Sequence, residues 1–243
     1  MARVLVTGSA EGLGHGAAAA LLDQGHQVVV HVRTPGRRPA VADLVGRGAA
    51  VAVGDLAHRH EVTSVADQVN TLGRCDAVIH NAGVGDGRTV LAVNVVAPYL
   101  LTALMDRPSR LVYLSSDMHA GGRARLDGID WAQPQGSTYS DSKLFVTTLA
   151  AAVARRWPQV VSSAVDPGWV PTRMGGPSAP DDLVEGHVTQ VWLATSDDPA
   201  ALESGQFWHH RRVARPHRSV GDVQFQNGLL ASLAEFTGVE LGR

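Results

Sequence analysis

The sequence predicts an α/β protein with a doubly wound, parallel sheet of about seven strands between two layers of helices. Short apolar runs recur at fairly even intervals, and the segments between them are long enough for helices, with apolar residues at helical spacing. Parallel strands require such crossovers, and strands buried on both faces have near-continuous apolar sequences. In sheets of this kind, ligands bind at the carboxyl ends of the strands.

The apolar runs also give the order of the elements. We interpret six of them as strands, at residues 4–6, 28–32, 50–53, 77–79, 111–114 and 160–165. Helices are predicted at residues 12–24, 61–72, 90–105 and 139–157. The loop at 170–185 follows the sixth strand, where an α/β enzyme often carries a lid over its substrate.

The size and charge of the chain narrow the classes of protein to consider. Its 243 residues, 44% of them hydrophobic, can bury one substantial core, so we expect a single domain spanning residues 1–243. The formal net charge of −2 leaves no broad basic surface for nucleic acid or an anionic membrane. We therefore expect a small-molecule partner. The single cysteine excludes an intramolecular disulfide and suits a reducing compartment.

Two features of the sequence predict a cytoplasmic location. The chain runs directly into its first predicted strand and lacks the pattern of a secretory signal peptide. Its apolar runs are also much shorter than the roughly 20 residues that cross a bilayer. We therefore expect a protein without a membrane segment.

A glycine-rich segment, TGSAEGLG at residues 7–14, joins the first predicted strand to the first helix. Such a turn lets a pyrophosphate approach backbone amides, and the helix amino terminus adds unpaired N–H groups and a favourable dipole. A tight turn without a ligand is the alternative, but strand, turn and helix follow in the order that nucleotide binding requires. The predicted cofactor contacts here are Gly8, Ser9, Glu11, Gly12, Leu13 and Gly14.

Tyr139 and Lys143 begin the helix predicted at 139–157, and a separation of four residues places them on the same face. A tyrosine hydroxyl ionises near about pH 10, so proton exchange at neutral pH calls for a nearby positive charge. Lys143 is the only lysine among 21 lysines and arginines, which indicates a specific requirement for an ammonium. An exposed amphipathic helix is the alternative interpretation.

These motifs resemble the short-chain dehydrogenase/reductase family. TGSAEGLG matches the family's TGxxxGxG, and YSDSK at 139–143 supplies its tyrosine and lysine. The resemblance continues through the strand ends at 55–56, 81–83, 115–116 and 166–172 and spans nearly the whole chain. It implies a three-layer Rossmann fold and an oxidoreductase that interconverts carbonyl and alcohol by hydride transfer with a nicotinamide cofactor. The segment 117–138 and the tail resemble the retinol-dehydrogenase-like branch.

The resemblance also implies a role for each matching residue. Tyr139 would protonate the carbonyl oxygen as the hydride arrives, and Ser116, supported by Ser115, would hydrogen-bond that oxygen. Lys143 would bind the nicotinamide ribose, and Asn94 would hold a water that links Lys143 to solvent. Further cofactor contacts would come from Tyr139 itself and from Asp55, Leu56, Asn81, Ala82, Gly83, Pro167, Gly168, Val170 and Thr172.

The residues after the second strand bear on the choice between NADP(H) and NAD(H). NAD-binding proteins usually place an acid about 20 residues beyond the glycine turn, whereas here Val32 is followed by Arg33. A guanidinium can form charge-assisted bonds to a 2′-phosphate, and Arg37 and Arg38 lie nearby. We predict a preference for NADP(H). NAD(H) remains the alternative, because the arginines could be a solvated loop and Glu11 adds a negative charge.

Two further interpretations complete the prediction. A homodimer or homotetramer is the default assembly. We predict no metal site, because His209 and His210 would point to opposite faces of a strand and no carboxylate or cysteine spacing completes a ligand set.

Two other function classes are alternatives to the oxidoreductase. The first is a non-catalytic NADP(H)-binding sensor or regulator on the same fold, and the second is a Rossmann-type methyltransferase. The set of Ser116, Tyr139 and Lys143 argues against both.

Overall fold

The computed structural model describes residues 1–132 and 136–242, and within them it contains one eight-stranded sheet. The strand order is β3-β2-β1-β4-β5-β6-β7-β8; the first seven strands are parallel, and β8 is antiparallel to β7. The strands are β1 (Arg3–Val6), β2 (Gln27–Val32), β3 (Ala50–Val53), β4 (Ala77–His80), β5 (Arg110–Leu114), β6 (Val161–Asp166), β7 (Phe207–His209) and β8 (Arg212–Ala214).

Helices cover both faces of this sheet, so the predicted three-layer, doubly wound α/β fold is confirmed. Leu21 and Leu193 pack on one face together with the inner strands. Val65, Leu149 and Leu229 pack on the other face. The α-helices are α1 (Gly12–Asp23), α2 (Ala42–Gly46), α3 (Arg59–Thr71), α4 (Ala97–Leu104), α5 (Tyr139–Arg156), α6 (Leu183–Thr195) and α7 (Val223–Thr237).

The reversal of strand order positions the site. β1 lies between β2 and β4, so the chain leaves β1 in one direction and β4 in the other. The loops after these two strands therefore diverge and leave a crevice at the carboxyl edge of the sheet. The glycine-rich turn at 7–14 and the segment at 81–85 form its two sides.

The structure adds elements that the periodicity did not predict. β7 and β8 have three residues each, too few for an apolar alternation to stand out, and α6 and α7 lie in the segment for which no helix was predicted. The helix predicted at 90–105 is present, but a π-helical turn at Ala92–Val96 precedes α4. Within the part of the chain that the structure describes, no helix has both the length and the apolar character needed to cross a membrane.

Candidate active site

The glycine-rich turn is held against the loop that follows β4. Gly8 has a φ of 68°, and a Cβ at this position would lie 3.0 Å from the Cα of Ala82. The Asn81 side chain donates hydrogen bonds to the carbonyls of Thr7 (2.8 Å) and Gly8 (3.2 Å). Only glycine tolerates this combination of positive φ and close backbone approach, which explains the residue type at position 8.

A buried histidine of β2 also fixes this turn. The Gly8 N–H donates to Nδ1 of His31 (3.1 Å), and Nε2 of the same ring lies 2.8 Å from the carbonyl oxygen of Gly54. The ring is therefore neutral with its proton on Nε2, and burial lowers the pKa of His31. His31 thus connects the turn after β1 to the end of β3, a role that the sequence did not predict.

The first turn of α1 opens towards the crevice with free backbone donors. Among the described residues, no side chain caps this helix at Glu11, so its first N–H groups, those of Gly12, Leu13 and Gly14, have no acceptor from a cap. The positive end of the helix dipole lies at the same point. These features fit the pyrophosphate of a dinucleotide.

One groove with a volume of about 890 Å³ runs along the crevice, and we call it the central groove. It brings together most of the residues predicted to bind the cofactor. Five predicted site residues lie beside it instead, namely Ser9, Asn94, Ser116, Gly168 and Val170. The predicted residues that line it are Gly8, Glu11, Gly12, Leu13, Gly14, Arg33, Asp55, Leu56, Asn81, Ala82, Gly83, Tyr139, Lys143, Pro167 and Thr172.

Ser9 is the predicted cofactor contact that the structure most clearly removes from the groove. Its side chain is fully buried, donates to the carbonyl of Val6 (2.5 Å) and accepts from the backbone N–H of His31 (3.2 Å). The hydroxyl is therefore engaged in holding the turn against β2. Val170 is also buried, whereas the Gly168 N–H donates to Asp166 (3.1 Å).

The arginines at one end of the central groove differ in their partners. Arg33 is exposed and lines the groove, and its side chain makes no hydrogen bond or ion pair with any described residue. Arg37 forms an ion pair with Glu11, Nη2 to Oε2, at 3.1 Å. That ion pair offsets the charge of Glu11 beside the glycine turn. Arg38 is exposed and does not line the groove.

A capping box fixes the start of α5 and therefore the position of Tyr139. The Thr138 side chain accepts from the backbone N–H of Asp141 (3.2 Å), and the Asp141 carboxylate accepts from the backbone N–H of Thr138 (2.8 Å). Arg123 pairs with Asp141 at 2.6 Å. Tyr139 is consequently the first residue of the helix, at the carboxyl edge of the sheet.

Lys143 lies one turn further along α5 and is buried. Its Nζ donates to the carbonyl of Leu114 at 2.8 Å and lies 5.3 Å from the centre of the Tyr139 ring. Burial lowers the pKa of Lys143 to about 8, and the charge of Asp166 opposes this change. The predicted proximity of the two side chains is present.

Burial is the main influence on the pKa of the Tyr139 phenol. Burial raises the pKa of Tyr139 to about 12; a hydrogen bond with Ser116 lowers the pKa, and the charges of Asp166 and Asp117 raise it. Nζ of Lys143 is directed to the Leu114 carbonyl. That Lys143 lowers the pKa of the phenol during catalysis therefore stays a prediction.

Ser116 stands at the end of β5, within hydrogen-bonding reach of Tyr139. Its hydroxyl donates to Asp117 (3.2 Å) and accepts from the backbone N–H of Met118 (3.2 Å). Nδ1 of the buried His119 lies 2.6 Å from the Ser116 carbonyl oxygen, and Nε2 accepts from the backbone N–H of His217 (3.0 Å). His119 therefore connects the backbone of Ser116 to His217, which lies much later in the chain. No role for His119 was predicted from the sequence.

The expected supporting residue, Ser115, contacts both α5 and Ser116. Its Oγ lies 2.5 Å from Oγ1 of Thr147 and within 3.4 Å of the carbonyl oxygen of Lys143. These contacts hold the end of β5 against the helix that carries Tyr139 and Lys143. The same Oγ lies 3.5 Å from the carbonyl oxygen of Ser116.

Asn94 lies within the π-helical turn and is buried. Its side chain accepts from the N–H of Val84 (2.9 Å) and donates to the carbonyl of Val84 (2.9 Å) and to Oγ of Ser142 (2.9 Å). A Cβ on Gly83 would lie 3.4 Å from Oδ1 of Asn94 and 3.6 Å from Nζ of Lys143. Asn94 thus connects the loop after β4 to α5 directly behind the lysine.

The loop after β6 is extensively cross-linked. Trp169 exchanges hydrogen bonds with Asp181, from its N–H to Oδ2 (2.6 Å) and from the Asp181 N–H to its carbonyl (3.1 Å). The indole Nε1 donates to the Gly175 carbonyl (2.8 Å). Thr172 lies against Gly12, whose Cβ would be 3.1 Å from its Cγ2. Hydrogen bonds between Trp169 and Asp181 therefore join the two ends of the predicted lid. Its last residues, from Leu183 onwards, belong to α6.

The two adjacent histidines lie differently from the prediction. His210 has a φ of 47° in the turn between β7 and β8, so the two rings are 4.0 Å apart rather than on opposite faces. A carboxylate is also present, because Nδ1 of His209 lies 3.0 Å from Oδ2 of Asp166. Within residues 1–132 and 136–242, no group of three or more ligating side chains forms a candidate metal site.

Comparison with known proteins decides the family. A family model described as short chain dehydrogenase matches residues 2–109. An uncharacterized oxidoreductase of Emericella nidulans is 41% identical over 98% of this chain and 98% of its own length. The chain belongs to the short-chain dehydrogenase family. Like its relatives, it is an oxidoreductase, and the predicted family and enzyme class are confirmed.

Other relatives are spread across the family. A Streptomyces protein assigned as a daunorubicin C-13 ketoreductase is 30% identical over 98% of this chain and 92% of its own length. Human retinol dehydrogenase 13, from the branch that the sequence resembles, is 29% identical over 71% of this chain and 60% of its own length. Members of the short-chain dehydrogenase family thus match the chain along its whole length.

Solved structures agree with the fold of this family. An uncharacterized protein from Mycobacterium paratuberculosis superposes with a TM-score of 0.85 at 24% identity, covering 100% of this chain and 96% of its own. A blue fluorescent protein from a metagenomic library, solved with NADPH, has a TM-score of 0.71 at 18% identity, covering 86% of this chain and 95% of its own. The short-chain dehydrogenase fold binds NAD(P).

Proposed function

We propose that the chain is an NADP(H)-preferring oxidoreductase that interconverts a carbonyl group and an alcohol, with Tyr139 as the general acid and base. One observation carries this proposal: the central groove extends without interruption from Arg33, past the uncapped start of α1, to Tyr139 and Lys143. A dinucleotide bound along this groove would have its 2′-phosphate at Arg33 and its pyrophosphate at the start of α1. Its nicotinamide end would then lie next to Tyr139.

The cofactor would supply the hydride, and the protein would manage the proton. The Tyr139 hydroxyl, which lies near Ser116, would donate a proton to the carbonyl oxygen as the carbon is reduced. Burial keeps this phenol protonated, so it carries the proton that the carbonyl oxygen would receive. The Ser116 hydroxyl can exchange its bond to Asp117 for one to the carbonyl oxygen.

Lys143 and Asn94 would position the reacting groups. The buried ammonium of Lys143 has donors free beyond its bond to Leu114 and would bind the nicotinamide ribose. Asn94 would keep the 83–84 loop and α5 at a fixed separation. Gly83 lies near both Asn94 and Lys143, and a water bridging these two side chains would link the lysine to solvent.

The preference for NADP(H) is supported by the Arg33 side chain, which has no hydrogen-bond or ion-pair partner among the residues that the structure describes. Its guanidinium lines the groove beside Val32, where an NAD-binding protein usually carries an acid. A 2′-phosphate would give it a charge-assisted partner. Arg37 is held by Glu11, so Arg33 is the residue that we assign to the phosphate.

The test of this proposal is the substitution Tyr139→Phe, followed by NADPH absorbance with a panel of ketones and aldehydes. We expect turnover to fall by about 10³-fold or more while the dissociation constant for NADPH changes by less than about twofold, because the phenol acts mainly in the transition state. Near-normal turnover in the variant would remove Tyr139 from the mechanism. Binding of NADPH by the wild type without any turnover would favour the sensor.

Thermal stability can distinguish the classes of ligand that the protein binds. Thermal melting with NADPH, NADH and S-adenosylmethionine tests the ligand class, since a bound ligand raises Tm in proportion to the logarithm of its concentration over its dissociation constant. Stabilisation by S-adenosylmethionine alone would favour the methyltransferase.

We also propose that the chain forms a single domain, which calorimetry tests as one unfolding transition. We propose a cytoplasmic location, which cell fractionation tests, and a homodimer or homotetramer, which light scattering tests.

A further inference from the structure

A second cavity, with a volume of about 350 Å³, lies between α1 and α6, and we call it the α1–α6 cavity. It shares no lining residue with the central groove. Its volume falls in the range of roughly 300–1,000 Å³ that is usual for small-molecule sites. One residue of α1 and three of α6 give it apolar walls, namely Ala20, Val188, Val191 and Trp192.

The turn between β7 and β8 brings Arg211 to this cavity. Arg211 has a φ of 59°, and His210 directly before it has a φ of 47°. Two successive residues other than glycine in the left-handed region store backbone strain, which clusters at functional sites in proteins. The Arg211 N–H donates to Oγ1 of Thr189 at 3.0 Å, so the strained turn is held against α6.

The guanidinium of Arg211 has no charged partner. Its central carbon lies 6.0 Å from the centre of the Trp192 ring. Across residues 1–132 and 136–242, the exposed Arg211 side chain makes no hydrogen bond and no ion pair. A guanidinium carries its donors in a planar fork that matches the two oxygens of a carboxylate. Arg211 is therefore available to an anion in the cavity.

The acids closest in sequence to the cavity are paired elsewhere. Asp23 precedes the lining residue Gln24 and forms an ion pair with Arg47 at 2.6 Å. Asp197 follows the lining residue Ser196 and pairs with Arg110 at 3.3 Å. Of the residues that the structure describes, no aspartate or glutamate lines the cavity. The positive charge of the guanidinium is thus not offset at the cavity walls.

His26 adds a hydrogen-bond donor to the cavity. Its Nδ1 accepts from the backbone N–H of Ala2 at 3.1 Å, so the proton of the neutral ring is on Nε2. Burial, and then the charge of the amino terminus, lower the pKa of His26. The ring is therefore uncharged at neutral pH and can donate from Nε2 to a ligand.

His187 closes the cavity towards the start of both helices. A Cβ on Gly16 of α1 would lie 2.7 Å from its Nδ1, so this ring occupies the space beside the glycine. The same Nδ1 lies 3.1 Å from the carbonyl oxygen of Leu183. Burial lowers the pKa of His187, while the charges of Asp182 and Glu185 act in the opposite direction. Both acids are exposed, and neither lines the cavity.

The cavity is elongated along α6. Its lining on this helix extends from His187 to Thr195, which is about 12 Å at a rise of about 1.5 Å per residue. Gln24 and His26 lie at the end of α1 and just beyond it, next to the end of α6. A ligand that fills this space therefore has an apolar body as well as a charged group.

We propose that the α1–α6 cavity binds a small organic anion, namely a carboxylate with an elongated apolar body. The carboxylate pairs with Arg211, and the body lies along Trp192 and Val191 towards His26. The site is independent of the carbonyl chemistry proposed for Tyr139, because none of its residues lines the central groove.

The experiment is a calorimetric titration of the protein, with NADPH at saturation, by three probes: 4-phenylbutyrate, its neutral analogue 4-phenylbutyramide, and acetate. We expect Kd for 4-phenylbutyrate to be lower than that for the amide by about tenfold or more, since the amide has no charge for Arg211. Acetate should bind more weakly by a similar factor, because it has no apolar body. Equal affinity for 4-phenylbutyrate and either analogue, or no binding at millimolar concentration, would overturn the proposal.

Two substitutions test the location of the site. Arg211→Gln removes the charge and keeps a residue other than glycine in the turn, and Ala20→Leu fills the cavity without changing any charge. Each should raise Kd for 4-phenylbutyrate by about tenfold or more. An unchanged Kd in either variant would overturn the proposal, and circular dichroism with thermal melting verifies that both variants fold.

Arg212→Gln is the matched control for the charge. Arg212 is the next residue, is also exposed, and does not line the α1–α6 cavity. Its substitution should change Kd for 4-phenylbutyrate by less than about twofold, because exposed charges outside the site are screened by solvent and salt. An equal loss of affinity in Arg211→Gln and Arg212→Gln would mean a general effect of charge and would overturn the proposal.

Discussion

At the scale of single residues, the proton balance of the site depends on two buried groups with opposite pKa displacements. The phenol of Tyr139 has a pKa raised to about 12, and the ammonium of Lys143 has a pKa lowered to about 8. The phenol therefore stays protonated through the neutral range, whereas the lysine loses its charge at mildly alkaline pH. The ammonium is therefore the group of the two that titrates first as the pH rises.

This difference predicts the pH dependence of carbonyl reduction. Because the pKa of Lys143 is lowered to about 8, kcat/KM should fall as the pH rises through that value, where the group loses its proton. A pH profile from 6 to 10 with NADPH at saturation measures the effect. Lys143→Arg retains a charge over this range, so its lower activity should lack the decline near 8. A wild-type profile that rises through 8 would contradict this assignment.

A second prediction at this scale concerns the cofactor. Arg33→Ala should raise KM for NADPH by about 10- to 100-fold, because a charge-assisted hydrogen bond contributes about 1.5–3 kcal/mol. KM for NADH should change by less than about twofold, since NADH lacks the 2′-phosphate. Arg38→Ala serves as the control, because Arg38 is exposed and outside the groove. An equal rise in KM for NADPH and NADH would mean that Arg33 does not bind the 2′-phosphate.

At the scale of elements, the parts that local sequence determines were predictable. The glycine turn, α1 and the start of α5 have local signals, namely positive-φ glycines and a capping box at Thr138. Bonds between distant residues gave no such signal. His31 meets Gly8 across 23 positions, and His119 meets His217 across 98. Their roles require the fold, which explains why the sequence left both histidines unassigned.

The π-helical turn is the element that the sequence did not predict and the site requires. It lies at Ala92–Val96, and single π turns inside helices occur frequently at functional sites. Asn94 lies within this turn. Asn94 reaches both Val84 and Ser142 from it.

The consequence is a prediction for Asn94→Ala. The three hydrogen bonds of the buried Asn94 side chain would be lost, one of them fully buried and two partly buried, so the free energy of unfolding should fall by about 2–4 kcal/mol. The kcat should fall as well, because α5 and the 83–84 loop lose their connection. Urea unfolding and steady-state kinetics measure the two effects. Asn227→Ala on the exposed side of α7 is the control, and equal stability of the two variants would contradict the prediction.

At the scale of the whole molecule, the order of the sheet explains why one groove serves both binding and chemistry. The sequence predicted the alternation of strands and helices, and the reversal at β1 brings the turn after β1 and the loop after β4 together. The sheet then continues through β5 and β6, whose ends carry Ser116 and Asp166. The sequence could not predict β7 and β8, since short strands are specified by their neighbours rather than by their own pattern.

The most direct test of the central claim follows a hydride through this groove. NADPH carrying deuterium at the transferable position is incubated with the panel of ketones, and the alcohol is examined by mass spectrometry and NMR. We expect one deuterium on the carbinol carbon in the wild-type product and a rate at least about 10³-fold lower with Tyr139→Phe. Unlabelled alcohol, or equal labelling rates in the two proteins, would contradict it.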